Sequence, residues 1–303
     1  MVASWPGNGN VNNGEAALLG PFTDLDSDGL YEPTLGESPL IRGDMAVYTI
    51  NHGLDTSVIS IAPIGSEVHT LFYAFNNSWD PYLHNTVFCN QKIINRSSLV
   101  LDSTWVGSWT DIEIGAGFDD FVGCDTTLNA FFGYNADASD VSGYADRPPA
   151  QALVYLNHHM SAHAAYSQGI DPWSADEVYA LLRGQNQDGT PVVTPGGDTT
   201  TFLYSGDPND PLQWHEASVG NAPGDRRAIG SIGPFTFAPG DTICVDLAFV
   251  FAQDTLGDNL TSVTLLKQRV AQVRDWYAQQ DINCTGSYGI VTGLSNQLTS
   301  RCV

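Results

Sequence analysis

The run Ile243–Phe251, ICVDLAFVF, constrains the fold of this chain more than any other stretch. Its apolar character is nearly continuous, with Asp246 as the one charged interruption. Continuous apolar runs of this length are typical of strands that are buried on both faces. We therefore predict a central strand within Thr242–Gln253.

Other segments of the chain also carry the features of strands. They alternate apolar and polar residues or are rich in aromatic and β-branched residues, and polar turns separate many of them at intervals of about a dozen residues. These segments are Asp44–Ile50, Val68–Phe75, Asn85–Asn95, Ser98–Trp109, Phe121–Tyr134, Thr199–Tyr204 and Gly233–Phe237. The pattern predicts a mainly all-β fold, an antiparallel β-sandwich, in preference to βαβ units.

Two segments have helical signals. In Ser262–Gln279, apolar residues recur at three- and four-residue steps, so we predict one long C-terminal helix. A short helix is predicted at Ala175–Leu182, where Ser174 and Glu177 form a capping box and Gly184 ends the helix.

The domain organisation predicted from these patterns has three parts. Residues 1–43 form an irregular N-terminal segment, residues 44–280 a sandwich domain, and residues 281–303 a tail or linker. We interpret residues 135–198, which contain Pro148-Pro149 and the short helix, as an irregular and helical insertion on the sandwich. The motif Asp225-Arg226-Arg227 is interpreted as a turn whose arginines pair with carboxylates.

An acidic loop at Asp24–Gly29, DLDSDG, predicts a metal site. Carboxylates at every second position followed by glycine match the first half of an EF-hand loop, which binds calcium. Position twelve of that pattern is Leu35, so the loop is not a standard EF-hand, and another residue must complete it. The predicted ligands are Asp24, Asp26, Asp28, the carbonyl of Leu30, and Glu32 or Glu37. The alternative is a solvated acidic turn.

Other groups are weaker candidates for sites. Asp119, Asp120 and Asp125 lie near glycines at the start of a predicted strand, where a second metal site and a solvated turn are equally plausible interpretations. Three histidines, His158, His159 and His163, lack the HExxH pattern of a zinc site. Among the five cysteines, Cys284 and Cys302 are placed to form a disulfide in the tail.

The formal charge of −23 excludes several classes of partner. Nucleic acids and anionic membrane surfaces both require a positive field, which a chain with only two lysines cannot supply. No run approaches the roughly 18 apolar residues that span a bilayer. An acidic surface of this kind suits divalent cations and a salty medium.

An ordered series of motifs resembles a known group of proteins. The motifs are WPGNGN, GPFTDLDSDGLYEP, IRGDMAVY, IGSEVHTLFYAF, NQKIINRSS, DDFVGCD and NAPGDRRAIGSIGPFTFAPGD, between Trp5 and about Gln280. Together they resemble a module of the large surface and secreted proteins of the Bacteroidota that carry a C-terminal type IX secretion sorting domain. The resemblance implies export to the cell surface or beyond, and calcium at the acidic loop; it implies no catalytic activity.

From the sequence we therefore expect a non-catalytic, calcium-stabilised structural or adhesin-like module, located outside the cell. Its partners would be other domains of a longer surface protein or copies of itself. A first alternative is a carbohydrate-binding or carbohydrate-active protein, with Glu67, Asp119, Asp120 and Glu216 as candidate carboxylates. A second alternative is a filament subunit that accepts a neighbour's tail segment at a free sheet edge.

Overall fold

The computed structural model describes residues 2–13, 15–53, 64–280 and 282. Within these ranges the chain is mainly β, with strands in antiparallel sheets and three α-helices. The helices are α1 (Pro81–His84), α2 (Ala175–Leu182) and α3 (Asn259–Ala278). The strands are β1 (Phe22–Thr23), β2 (Ser38–Pro39), β3 (Met45–His52), β4 (Ser66–Ala74), β5 (Thr86–Asn95), β6 (Leu101–Asp111), β7 (Asp120–Asp125), β8 (Ala130–Asn135), β9 (Ala150–Tyr155), β10 (Ala162–Ser167), β11 (Val192–Val193), β12 (Thr199–Thr200), β13 (Arg226–Phe237) and β14 (Thr242–Ala252).

The main element of the fold is a seven-stranded sheet, here called the large sheet, with the order β3-β4-β5-β14-β9-β8-β7. Strand β14 is the fourth of these seven strands, which confirms the central strand predicted at Thr242–Gln253. Its side chains alternate between two separate apolar clusters: Val245 and Leu247 belong to one, Ala248 and Val250 to the other. The strand is thus apolar on both faces because each face is covered.

Helix α3 covers one face of the large sheet. Val263, Leu266, Val270 and Val273 are buried against strands of that sheet. The helix begins at Asn259, three residues before the predicted start, because Asp258 and Thr261 form a capping box there. The side chain of Asp258 accepts the backbone N–H of Thr261, and the Thr261 hydroxyl accepts the backbone N–H of Asp258 in return.

A three-stranded sheet, here called the small sheet, covers the other face with the order β10-β13-β6. Ile232 and Ala228 of β13 pack in the same cluster as Leu247 of the large sheet. Helix α2 lies on the outer side of the small sheet, where Leu181 contacts Ile229. The fold therefore has the sandwich-like all-β character that the sequence predicts, with one long C-terminal helix.

The structure corrects two of the sequence interpretations. Residues 135–198 are only partly an insertion, because β9 lies between β14 and β8 within the large sheet and β10 belongs to the small sheet. The α2 helix and the β11–β12 pair lie outside both the large and the small sheet. Arg226 and Arg227 do not form a turn; they begin strand β13.

The N-terminal segment packs against the edge strand β3. The ring of Trp5 lies 5.0 Å from that of Tyr48, and the Tyr48 hydroxyl donates to the Leu19 carbonyl. Asn8 forms two hydrogen bonds with the backbone of Tyr31, accepting its N–H at 2.7 Å and donating to its carbonyl at 2.9 Å. The acidic loop is thereby fixed to the sandwich through its C-terminal end.

Candidate metal centres

The carboxylates of Asp24, Asp26 and Asp28 face one another, as their spacing predicts. One oxygen from each lies within 4.8 Å of the other two. Ser27 and Gly29 have φ angles of 66° and 78°, and these left-handed residues wind the chain tightly around the three side chains. Asp24 closes the turn by accepting the N–H groups of Ser27 at 2.7 Å and Gly29 at 2.9 Å.

Glu37 joins the two ends of the acidic loop through hydrogen bonds to their backbone N–H groups. Its side chain is buried, and its two oxygens accept the N–H groups of Leu25 at 2.9 Å and Glu32 at 2.7 Å. Each oxygen of an ionised carboxylate can accept more than one bond, so Glu37 keeps the capacity to bind a cation. Its observed role is to hold the loop closed.

Glu32 and Leu30 occupy the rim of the same loop. Desolvation, followed by the nearby charges of Asp28, Asp26 and Glu37, raises the pKa of Glu32 above its ordinary value. The Leu30 N–H donates to Asp28 at 2.7 Å. Three carboxylates therefore act on Glu32 within this short loop, and a bound cation would relieve that repulsion.

The geometry of the acidic loop fits a hard cation. Calcium binds oxygen ligands at about 2.3–2.6 Å, so two ligands of one ion can be at most about 5 Å apart. The mutual separations of the three aspartate oxygens fall within that span. The three converging donors are all carboxylate oxygens, which are among the ligands that calcium prefers.

The second predicted triad is not brought together. Asp120 begins β7 and Asp125 ends it, so the five steps between them place them about 17 Å apart. Asp125 instead forms an ion pair with Lys267 at 3.3 Å. Burial opposes its ionisation, but the Thr127 hydrogen bond and the Lys267 charge outweigh it and hold the pKa of Asp125 below its ordinary value. Asp125 cannot share an ion with the other two.

Asp119 and Asp120 lie together at the start of β7. Asp120 is completely buried, and one of its oxygens accepts the Ile114 N–H at 2.8 Å. Burial raises the pKa of Asp120 to about 7, and the carboxyls of Asp119, Asp140 and Glu113 add to the effect. Desolvation and Asp140 also raise the pKa of Asp119.

A further acidic cluster was missed by the sequence analysis. Oxygens of Asp111, Glu113 and Asp225 lie within 4.8 Å of one another, although Asp225 is far from the other two in the sequence. The guanidinium of Arg227 lies 3.2 Å from Asp111 and 2.8 Å from Asp225. This cluster already has a cation of its own, and only the pairing of β6 with β13 brings its members together.

The candidate carboxylates for sugar hydrolysis are divided among different places. Glu67 lies on β4 and is paired with Arg96 and His69, five strands from β7 in the large sheet. Five strand spacings correspond to about 24 Å, far more than the roughly 5–9 Å between the carboxylates of a glycosidase.

Glu216 is buried and neutralised by Arg226. The Arg226 Nη2 atom lies 2.9 Å from Glu216, which also accepts the Val122 N–H at 2.9 Å. The pair borders a cavity of about 640 Å³ whose walls include the rings of Tyr166 and Tyr204. Asp119 and Asp120 do not line this cavity.

The three candidate histidines do not converge. His158 contacts the Cys244 carbonyl at 2.7 Å, His159 contacts Asn129 at 3.3 Å, and His163 contacts the Leu203 carbonyl at 2.9 Å. No group of metal-binding residues in the described ranges includes any of them. Burial lowers the pKa of His163 to about 4, so it is neutral at physiological pH.

The predicted disulfide between Cys284 and Cys302 lies outside the described residues. Cys89 and Cys124 are buried free thiols, whereas Cys244 takes part in a disulfide. Burial raises the pKa of Cys89 to about 12. Neither free thiol is therefore a reactive nucleophile.

Comparison with known proteins adds no function to this geometry. No protein-family model matches the chain, and no curated protein matches it significantly. In the part of the chain that the structure describes, no helix is long and apolar enough to cross a membrane.

Proposed function

We propose that this protein is a non-catalytic, calcium-stabilised β-sandwich module of a cell-surface or secreted protein. The observation that carries the proposal is the convergence of Asp24, Asp26 and Asp28 in a loop that is tied to the sandwich. Calcium at this loop stiffens the junction between the N-terminal segment and the domain. The resemblance of the motif series to exported Bacteroidota proteins supports a place outside the cell, as does the charge of −23.

The role of the ion is structural in this proposal. Glu37 already joins both ends of the loop, and Asn8 ties its C-terminal end to the N-terminal segment. An ion bound by the three aspartates stabilises the one part of this assembly that is rich in repelling charges. The partners that follow from this role are neighbouring domains of a longer surface protein or further copies of the module.

Thermal unfolding with and without calcium tests the proposal. An ion that binds only the folded state, at about 100 times its dissociation constant, adds roughly 2.7 kcal/mol. For a domain of this size we expect the melting temperature to rise by several degrees on adding calcium after EDTA, and by less with magnesium. Asp26→Ala should lose the part of this rise that the acidic loop contributes.

Asp188→Ala is the matched control for this experiment. Asp188 is likewise an exposed turn aspartate that accepts a backbone N–H two residues ahead, from Thr190, as Asp26 does from Asp28. It belongs to no carboxylate cluster among the described residues. Its variant should keep the full calcium response. If Asp26→Ala melted like the parent chain in excess calcium, the acidic loop would be a solvated turn.

A glycan-binding role is a second candidate, favoured by the cavity beside Arg226. Two tyrosines and polar groups such as Gln168 and Asp225 line it, and aromatic rings stack on sugar rings. A glycan array on the parent chain and on Tyr166→Ala tests this role. Binding that the variant loses would establish it, and an array without hits would remove it.

A further inference from the structure

Three buried oxygen atoms lie at the open end of the β7–β8 hairpin, where β7 begins and β8 ends, and they accept no hydrogen bond from any described residue. They are Oδ1 of Asp119, Oδ1 of Asp120 and Oδ1 of Asn135. Asp120 and Asn135 are both completely buried. Buried acceptors without a donor are rare in native proteins, and each needs a physical explanation.

The sheet register places two of these side chains together. Asp120 and Asn135 are direct partners in the β7–β8 ladder. The Ala136 N–H donates to the Asp119 carbonyl just beyond them, so they form a pair of the non-hydrogen-bonded type, in which the Cα atoms are only about 4.5 Å apart. Their side chains lie on the same face of the sheet. Asp119 is the adjacent residue, and its charge acts on Asp120.

The charged neighbours of this group do not neutralise it. The charges that act most strongly on Asp120 are those of Asp119, Asp140 and Glu113, all of them negative. The carboxylate of Asp140 already has its hydrogen-bond donors, because it accepts the N–H groups of Ala116, Ser142, Gly143 and Tyr144. A completely buried carboxylate beside other carboxylates is costly unless a positive charge compensates it.

We propose that Asp119, Asp120 and Asn135 bind a second hard divalent cation of the calcium class. Two carboxylates and an amide carbonyl are the side-chain oxygens that calcium takes as ligands. The ion would join the two strands β7 and β8 where Asp120 begins one and Asn135 ends the other. This site is independent of the acidic loop, since it uses different residues on the opposite edge strand of the large sheet.

The number of bound ions tests the proposal directly. We expect isothermal titration with calcium, after chelation by EDTA, to show two ions per parent chain. Asp120→Asn, which is isosteric, should remove one of them, and Asp26→Ala should remove the other. If Asp120→Asn bound as many ions as the parent, the second site would be refuted whatever happened at the acidic loop.

Asn135→Asp provides a test whose sign separates a cation from a proton. The variant adds a negative charge directly opposite Asp120. With a cation at the site, the calcium-induced rise in melting temperature should exceed that of the parent, even though the variant melts lower in EDTA. If Asp120 is instead protonated and donates a hydrogen bond to residue 135, the variant should melt lower than the parent by the same amount in calcium and in EDTA. That outcome would overturn the proposal.

Discussion

The buried ion pair between Glu216 and Arg226 gives the largest stability effect that we expect from one polar substitution. Glu216 is 1% exposed and Arg226 is 8% exposed. The carboxylate also accepts hydrogen bonds from Val122 and Asn221. In Glu216→Gln, an amide N–H₂ replaces one oxygen and faces groups that are all donors. Breaking a buried pair in this way costs about 3–5 kcal/mol.

Urea unfolding followed by tryptophan fluorescence measures this loss. For a domain of this size, about 3–5 kcal/mol corresponds to a fall in melting temperature on the order of 10 °C. Arg96→Met is the control, because it breaks the pair with Glu67 at an arginine whose side chain is 42% exposed. Exposed pairs contribute about 0–1 kcal/mol. If Glu216→Gln and Arg96→Met unfolded at the same urea concentration, burial would not govern the strength of these pairs and the reasoning would fail.

Two further predictions concern the core. His163 is buried with its pKa lowered to about 4, whereas in the unfolded chain it titrates near pH 6.5. The unfolded state therefore binds more protons than the folded state between these pH values. The free energy of unfolding of the parent should fall by up to about 3 kcal/mol as the pH drops from about 6.5 to 4. In urea unfolding, His163→Gln should lack this component of the pH dependence. Leu266→Ala removes a buried side chain from α3 and should lower the free energy of unfolding by about 2–5 kcal/mol. The control Leu256→Ala, at a residue that is 91% exposed, should lower it by less than about 0.5 kcal/mol. Equal losses in the two variants would show that α3 is not part of the core.

Local signals in the sequence predicted the parts of the fold that depend on local chemistry. The apolar run of β14 and the capping box of α2 needed only neighbouring residues, and both are confirmed. The approach of Asp24, Asp26 and Asp28 is also local, because one turn of chain produces it.

The missed features depend on contacts between distant segments. β9 and β10 are rich in alanine and contain only one β-branched residue, Val154, so their sequences do not mark them as strands. Their place comes from pairing with β14 and β13. The juxtaposition of Asp120 with Asn135 follows from the ladder register, which no motif spacing records. The partner of Arg226 was invisible for the same reason, since Glu216 reaches it from a loop.

The position of β14 has a consequence for how the chain acquires its structure. This strand joins β5 to β9, yet it is the last strand that the chain contributes to the large sheet. Until residue 252 is available, β3-β4-β5 and β9-β8-β7 are two separate half-sheets, each with an open edge where β14 belongs. Pairing across such a sequence separation is slow. We therefore expect a chain that stops before β14 to remain unfolded or to aggregate through those edges, and the large sheet to be completed only after residue 252 has been synthesised.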